Sequence, residues 1–337
     1  MNKKLIAAAI AAGIAAPMVA NAGVTVYGVA QLELTNAKLE GSSPSSTTAL
    51  TDSKNSRFGI KWSEDLGGGL SAIGQMEYAP NLFDGASKAN SAPYARLANM
   101  GLKGSFGEVR FGTNKQPYKY SGGVKYDAFV ATAAEARSGN GGMLASSFGQ
   151  NGYFANSISY KGKFNNVQVW VATSVDQNAD SGNKYSGSDG DLMASVVVGL
   201  AKGAEVGVAM ANDKYASGAT SGAAGAKNTK IFGKYTFGAS QILAQYETSD
   251  VTTTNGDSKV MFLGYRFNMG SNIFAAQFGK TDTDQTNNGG DLAYMAVGAI
   301  HKLSKKTRAF VAYRKTDDKS TANADVTAIT LGMTTKF

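Results

Sequence analysis

The chain contains no cysteine. A disulfide scaffold is thereby excluded, and stability falls to hydrogen bonding and packing. His301 is the single histidine, so a His-based transition-metal site cannot be assembled, and no metal or other cofactor is expected. Only 5 prolines stand against 41 glycines, which rules out a proline-rich linker. After the first residues no apolar run reaches the length of a membrane helix, and mean hydropathy is −0.19. If the chain enters a bilayer, it does so as strands.

The opening stretch "MNKKLIAAAIAAGIAAPMVANAG" has Lys3 and Lys4, then an apolar run, then the small-residue site Ala20-Asn21-Ala22 ahead of Gly23. That is the layout of a secretory signal peptide, and we expect residues 1–22 to be removed on export. Gly13 and Pro17 argue against a permanent transmembrane anchor.

In the remainder, charge is sorted by the alternation of the residues. In "GVTVYGVAQLELT" one face is Val24, Val26, Gly28, Ala30, Leu32 and Leu34, and the polar groups sit on the other. In "RFGIKW" Phe58, Ile60 and Trp62 oppose Arg57 and Lys61. In "KIFGKYTF" Ile231, Tyr235 and Phe237 oppose Lys230 and Lys234, and "MFLGYRF" and "RAFVAYR" repeat the separation. Period-2 alternation marks strands with one apolar side. A β-sandwich would show the same period, with those sides turned to a core.

The connections decide between the two. Short turns are expected near 64–69, 103–108, 162–166, 201–205, 237–240, 268–272 and 303–307. Longer polar stretches fall at roughly 36–54, 80–92, 114–152, 175–190, 212–228, 248–258, 280–290 and 315–324. Strict alternation of short and long connections between sixteen strands is the pattern of a transmembrane β-barrel, with an apolar band toward lipid and a polar lumen. The chain ends "ADVTAITLGMTTKF"; a strand running to Phe337 is expected to be paired, and in a closed barrel its partner is the first strand.

With that pattern in hand, the chain resembles the sixteen-stranded, trimeric general porins of the Gram-negative outer membrane, in their β-proteobacterial branch. The resemblance rests on "VTVYGVAQ" at 24–31, "SRFGIKWSEDLGGGLSAIGQMEY" at 56–78, "GLKGSFGEVRFGTN" at 101–114, "NSISY" at 156–160, "LSKKT" at 303–307 and the terminal Phe337. It implies an all-β, 16-stranded antiparallel barrel over 23–337, a homotrimer in outer-membrane lipid, and recognition of Phe337 by the outer-membrane assembly machinery. It also implies passive passage of small hydrophilic solutes and ions, and a third loop, here about 114–152, folded inward to narrow the channel.

Sixteen strands leave a water-filled channel. By alternation Arg57, Lys61, Arg96 and Arg110 belong to its wall, and Asp127 and Glu135 to the third loop; opposed charges at a narrowing select one ion sign. Arg57 and Arg96 match positions where the family carries a basic cluster. For Lys61 and Arg110 the alternative is a solvated lumen charge with little effect on flux. Tyr153-Phe154 and Thr113-Asn114 stand where basic residues are common in the family, and Glu33 and Glu77 face inward, so the resemblance implies a modest anion preference. Trp62, Tyr265 and Phe337 are expected as anchors at the membrane interface.

Other motifs yield to plainer explanations. "EDLGGG" lacks the Lys-Ser/Thr of a phosphate loop. Lys302, Lys305 and Lys306 fit a turn at a membrane edge without nucleic acid. His301, isolated from nucleophile and carboxylate partners, argues against an outer-membrane hydrolase. Two other functions stay open: a channel specific for one solute class, with the third-loop tyrosines as its track, and a barrel that serves as a surface adhesin or phage receptor.

Overall fold

The computed structural model describes residues 23–41, 45–52, 55–80, 94–136, 152–175, 191–213, 226–251, 257–283, 291–318 and 325–337. The expected signal peptide and residues 137–151 of the expected third loop lie outside these.

The chain forms one antiparallel sheet: β1 (Gly23–Leu39), β2 (Ser45–Thr51), β3 (Arg57–Gly67), β4 (Leu70–Ala79), β5 (Tyr94–Gly104), β6 (Gly107–Lys115), β7 (Tyr153–Phe164), β8 (Val167–Ser174) and β9 (Leu192–Ala201), followed by β10 (Ala204–Asp213), β11 (Ala226–Phe237), β12 (Ser240–Val251), β13 (Ser258–Met269), β14 (Asn272–Thr283), β15 (Leu292–Lys302), β16 (Thr307–Asp318) and β17 (Val326–Lys336). Apart from β2 and β3, which both pair with β1, each strand pairs with its neighbour in sequence, and β1 closes on β17 from Val29↔Lys336 to Leu39↔Val326. Phe337 extends the closure: its N–H donates to Gly28 O at 3.2 Å, its carbonyl accepts Gly28 N–H at 3.1 Å, and its ring lies over Gly28. The strand at the carboxyl end is thus held on both edges, as expected.

The 17 segments make a 16-stranded barrel because β2 and β3 act as one wall strand. β2 pairs with Glu33–Leu39 of β1 and β3 with Gly23–Val29. In the break between them Ser56 Oγ accepts Gln31 N–H at 3.1 Å, so the backbone stays satisfied. This corrects the expected loop at 36–54. "SSTTALT" is polar, but its threonines suit an extended strand, and it extends the wall on the long-loop side.

All seven short turns lie where the sequence placed them, from Gly68-Gly69 to the bend at 303–306. The outward faces carry large exposed apolar side chains, among them Val26, Phe111, Ile231, Leu263, Phe278 and Leu331. So large a contiguous apolar surface suits lipid rather than water. The buried hydrophobic cluster sits instead where the third loop meets the inner wall. Tyr118, Tyr126 and Phe129 of the loop pack there with Phe232, Leu243, Phe262 and Tyr294.

Candidate functional site: a lumen narrowed by the third loop

The loop leaves β6 through a helical turn, Pro117–Tyr120, and a 3-10 turn, Gly123–Lys125. Gly122 joins them at φ +61, in the left-handed region, where a Cβ would also meet the Phe232 ring. From there the loop runs along the wall and is held mainly through its backbone. Gly123 N–H donates to Gln245 Oε1 at 2.5 Å and Ala128 N–H to Gln277 Oε1 at 3.0 Å. Ala133 N–H donates to Glu33 Oε2 at 3.1 Å, and Ala134 O accepts the Tyr294 hydroxyl at 2.6 Å. Arg266 donates to Tyr126 O at 2.7 Å, and the Tyr118 hydroxyl donates to Glu247 at 3.0 Å. These contacts on β1 and β12–β15 seat the loop on that side, and its helical turn also packs against β7–β10.

The wall of β3–β8 is basic. Arg57 and Arg96 converge on one carboxylate: Glu77 Oε1 lies 2.9 Å from Arg96 Nε, and Oε2 lies 3.6 Å from Arg57 Nε. Tyr27 donates to Glu77 Oε2 at 2.9 Å, its ring lying across Gly59, where a side chain would leave no room. Arg57 is further fixed by Asn55 O and Oδ1, at 2.8 and 2.9 Å. Lys115 is within electrostatic range of Glu77, Arg57 and Arg96.

Arg96 reaches the lumen through a β-bulge. Glu77 pairs with Leu97 and Tyr78 with Ala95, so Arg96 is the extra residue on β5. Leu97 and Asn99 are buried on the inner face, and plain alternation from them would turn Arg96 toward lipid. The bulge re-aims it.

The remaining expected residues fall as follows. Lys61 lies 5.9 Å from the Tyr27 ring centroid. Arg110 donates to Asn99 Oδ1 at 2.9 Å and pairs with Glu108 at 3.3 Å. Asp127 and Glu135 are placed differently from the expected opposing charges: they are only 3 % and 1 % exposed, and they accept the loop's own N–H groups, Phe129 and Ala136 on Asp127 and Ala131 on Glu135. A buried carboxylate must be hydrogen-bonded, and the tightly turned loop has amides in need of acceptors. Trp62 packs over Gly74 on the outer face, Tyr265 is exposed there with its hydroxyl 2.9 Å from Ser240 Oγ, and Phe337 is exposed at the closure. His301 meets Asn272 Oδ1 at 2.7 Å in an exposed position.

Sequence reasoning missed Lys115, although it follows directly on the Thr113-Asn114 pair marked as lacking a basic residue. It also missed the rings beside these cations. On the loop, Lys125 reaches lumen water, but the surrounding protein, and after it Lys161, hold its pKa below the usual lysine range. Burial, with Glu205 next in effect, pushes the Tyr126 hydroxyl well up, so it stays neutral. Among the described residues no group of three or more His, Cys, Asp or Glu could hold a metal ion, and no helix is long and apolar enough to cross a membrane.

A closed barrel with an apolar exterior, a polar interior and one loop laid along the inner wall is a passive transmembrane channel. The Gram-negative porin family matches residues 7–321, and the chain belongs to it. Outer membrane porin protein 32 of Delftia acidovorans is 26% identical over 351 residues, covering 98% of this chain and 95% of that protein. Among solved structures, the anion-selective porin from Comamonas acidovorans superposes with a TM-score of 0.72 at 23% identity, covering 94% of this chain and 100% of that one. The trimer form of OmpT, an outer membrane protein of Vibrio cholerae, gives a TM-score of 0.66 at 16% identity, over 94% and 99%. The protein is an outer-membrane porin through which ions and small hydrophilic solutes diffuse passively.

Proposed function

We propose that the pore prefers anions, that its selectivity is set on the wall of β3–β8 with Arg57 and Arg96 at the centre, and that it works as a homotrimer without a catalytic cycle. The observation that carries this is the sharing of one carboxylate, Glu77, by two arginines, with Lys115 beside them. The cluster keeps net positive charge where the loop narrows the lumen. An anion-selective structural neighbour and a trimeric one support the reading. In the same proposal, the segment 1–22 is removed on export, the loop over 114–152 forms the constriction, Phe337 is read by the assembly machinery, and Trp62, Tyr265 and Phe337 anchor the barrel in outer-membrane lipid. Asp127 and Glu135 then shape the loop rather than face the arginines.

The test is a planar-bilayer recording across a salt gradient on refolded protein, comparing wild type with Arg57→Ser and Arg96→Ser. Conductance steps in threes and a reversal potential displaced toward cation preference in both variants are expected. An unchanged reversal potential would remove these arginines from selectivity, and single steps would remove the trimer.

A further inference from the structure

The lumen cations are held by aromatic rings more often than by acids. Arg96 lies 5.0 Å from the Tyr153 ring centroid, Lys115 5.2 Å from Tyr120, and Lys161 4.3 Å from Trp170. Lys61 stands 5.9 Å from Tyr27. Lys61, Lys115 and Lys161 form no ion pair among the described residues. Each ring is itself fixed: Trp170 Nε1 donates to Ser159 Oγ at 2.9 Å, Tyr27 donates to Glu77, and Tyr120 and Tyr153 are hydrogen-bonded to each other.

The two kinds of partner differ in what they do to a passing ion. A carboxylate orients a lysine or arginine and also cancels its charge at a distance. An aromatic face attracts the cation through the ring quadrupole and has no net charge to cancel it. A cation over a ring is therefore both positioned and fully visible to an anion in the lumen. Long basic side chains left without a partner would sweep many rotamers and spread their charge.

We propose that Tyr120, Tyr153 and Trp170 are positioning residues for selectivity: Tyr120 and Trp170 fix Lys115 and Lys161 on the wall of β3–β8 without neutralising them, and Tyr153 holds Arg96 in place beside the Glu77 carboxylate that it shares with Arg57. The proposal rests on the anion preference above and adds the means by which the charge is held in place.

The experiment measures reversal potential and uptake of a neutral sugar in proteoliposomes for Tyr153→Leu, Tyr153→Phe, Tyr120→Leu and Arg96→Ser. Expected for Tyr153→Leu and Tyr120→Leu is a roughly twofold fall in the chloride-over-potassium permeability ratio, with sugar uptake unchanged, although no charge has been removed. Tyr153→Phe keeps the ring and loses only its hydrogen bond to Tyr120, so its ratio should stay closer to wild type than that of Tyr153→Leu. If Arg96→Ser shifts the potential while both leucine variants keep it, the rings have no positioning role and the wider proposal stands. If sugar uptake rises in step with the change, pore width is the cause and the ring proposal falls. If Arg96→Ser itself has no effect, the selectivity assignment fails first. Tyr120 ends the loop's helical turn and Tyr153 begins β7, so misfolding of one variant leaves the other decisive.

Discussion

Replacing Glu77 with glutamine removes the one carboxylate that Arg57 and Arg96 share while keeping an oxygen for Arg96 Nε, now 2.9 Å away, to donate to. With Arg57, Arg96 and Lys115 unchanged, the local charge becomes one unit more positive. For an anion passing about 6 Å from that position in water-like surroundings, the lost repulsion is worth ~0.7 kcal/mol, about a threefold rise in local anion concentration. A cation is depleted by a similar factor. The assay is the reversal potential of single channels in a potassium chloride gradient, repeated at rising ionic strength. Glu77→Gln should strengthen anion preference at low salt, and the gain should largely vanish near 1 M, where the screening length falls to about 3 Å. A reversal potential that stays put at low salt, or moves toward cations, would show that Glu77 does not temper the arginines and that the cluster is not where the field is set.

Leu263→Arg places a charge on the outward face at mid-strand, where Leu263 is 51% exposed; it should destabilise the barrel in vesicles by about 2–4 kcal/mol in denaturant titrations, and an unchanged midpoint would argue against lipid contact there. Gly122→Val combines a left-handed φ of +61 with a clash against Phe232, so the loop should leave its seat at a cost of about 1–3 kcal/mol, raising neutral-sugar uptake and single-channel conductance together. The lowered pKa of Lys125 gives a pH test: its charge is lost on alkalinisation before an ordinary lysine titrates, so anion preference should decline there in wild type and decline less in Lys125→Arg. For the same sign reason the folded state disfavours the charged form, and this group's penalty on stability eases as pH rises through that depressed value.

The wall was legible in the sequence because a strand in a barrel wall reports its two sides at period 2 and because every short turn is punctuated by Gly, Asn, Lys or Ser. Two features escaped for different physical reasons. The bulge at Arg96 shifts the alternation by one residue, and nothing in "YARLANM" shows which strand carries the extra residue until the pairing with β4 is known. The seat of the third loop consists of contacts far apart in sequence, such as Ala133 on Glu33 and Ala134 on Tyr294, and local pattern has no access to them. That is why Asp127 and Glu135, acidic residues on a loop crossing a lumen, looked like pore charges.

Their placement bears on where the field of the pore comes from. Beneath the loop, Glu33, Asp127, Glu135 and Glu247 are all buried, their carboxylates occupied by backbone N–H groups and hydroxyls. Among the described residues the bases buried there are Lys119, Lys230 and Arg314, Lys230 lying 4.4 Å from the Tyr118 ring centroid. On the wall of β3–β8 the balance is reversed: Arg57, Lys61, Arg96, Arg110, Lys115 and Lys161 stand there with the carboxylates of Glu77 and Glu108. The acids fold the loop, and the cations are left facing solute. The proposed anion preference rests on this sorting of charges between the two sides of the lumen and not on the chain's net charge of +8, so a redesign that moved one loop-bound carboxylate to the wall of β3–β8 should reduce it with that net charge unchanged.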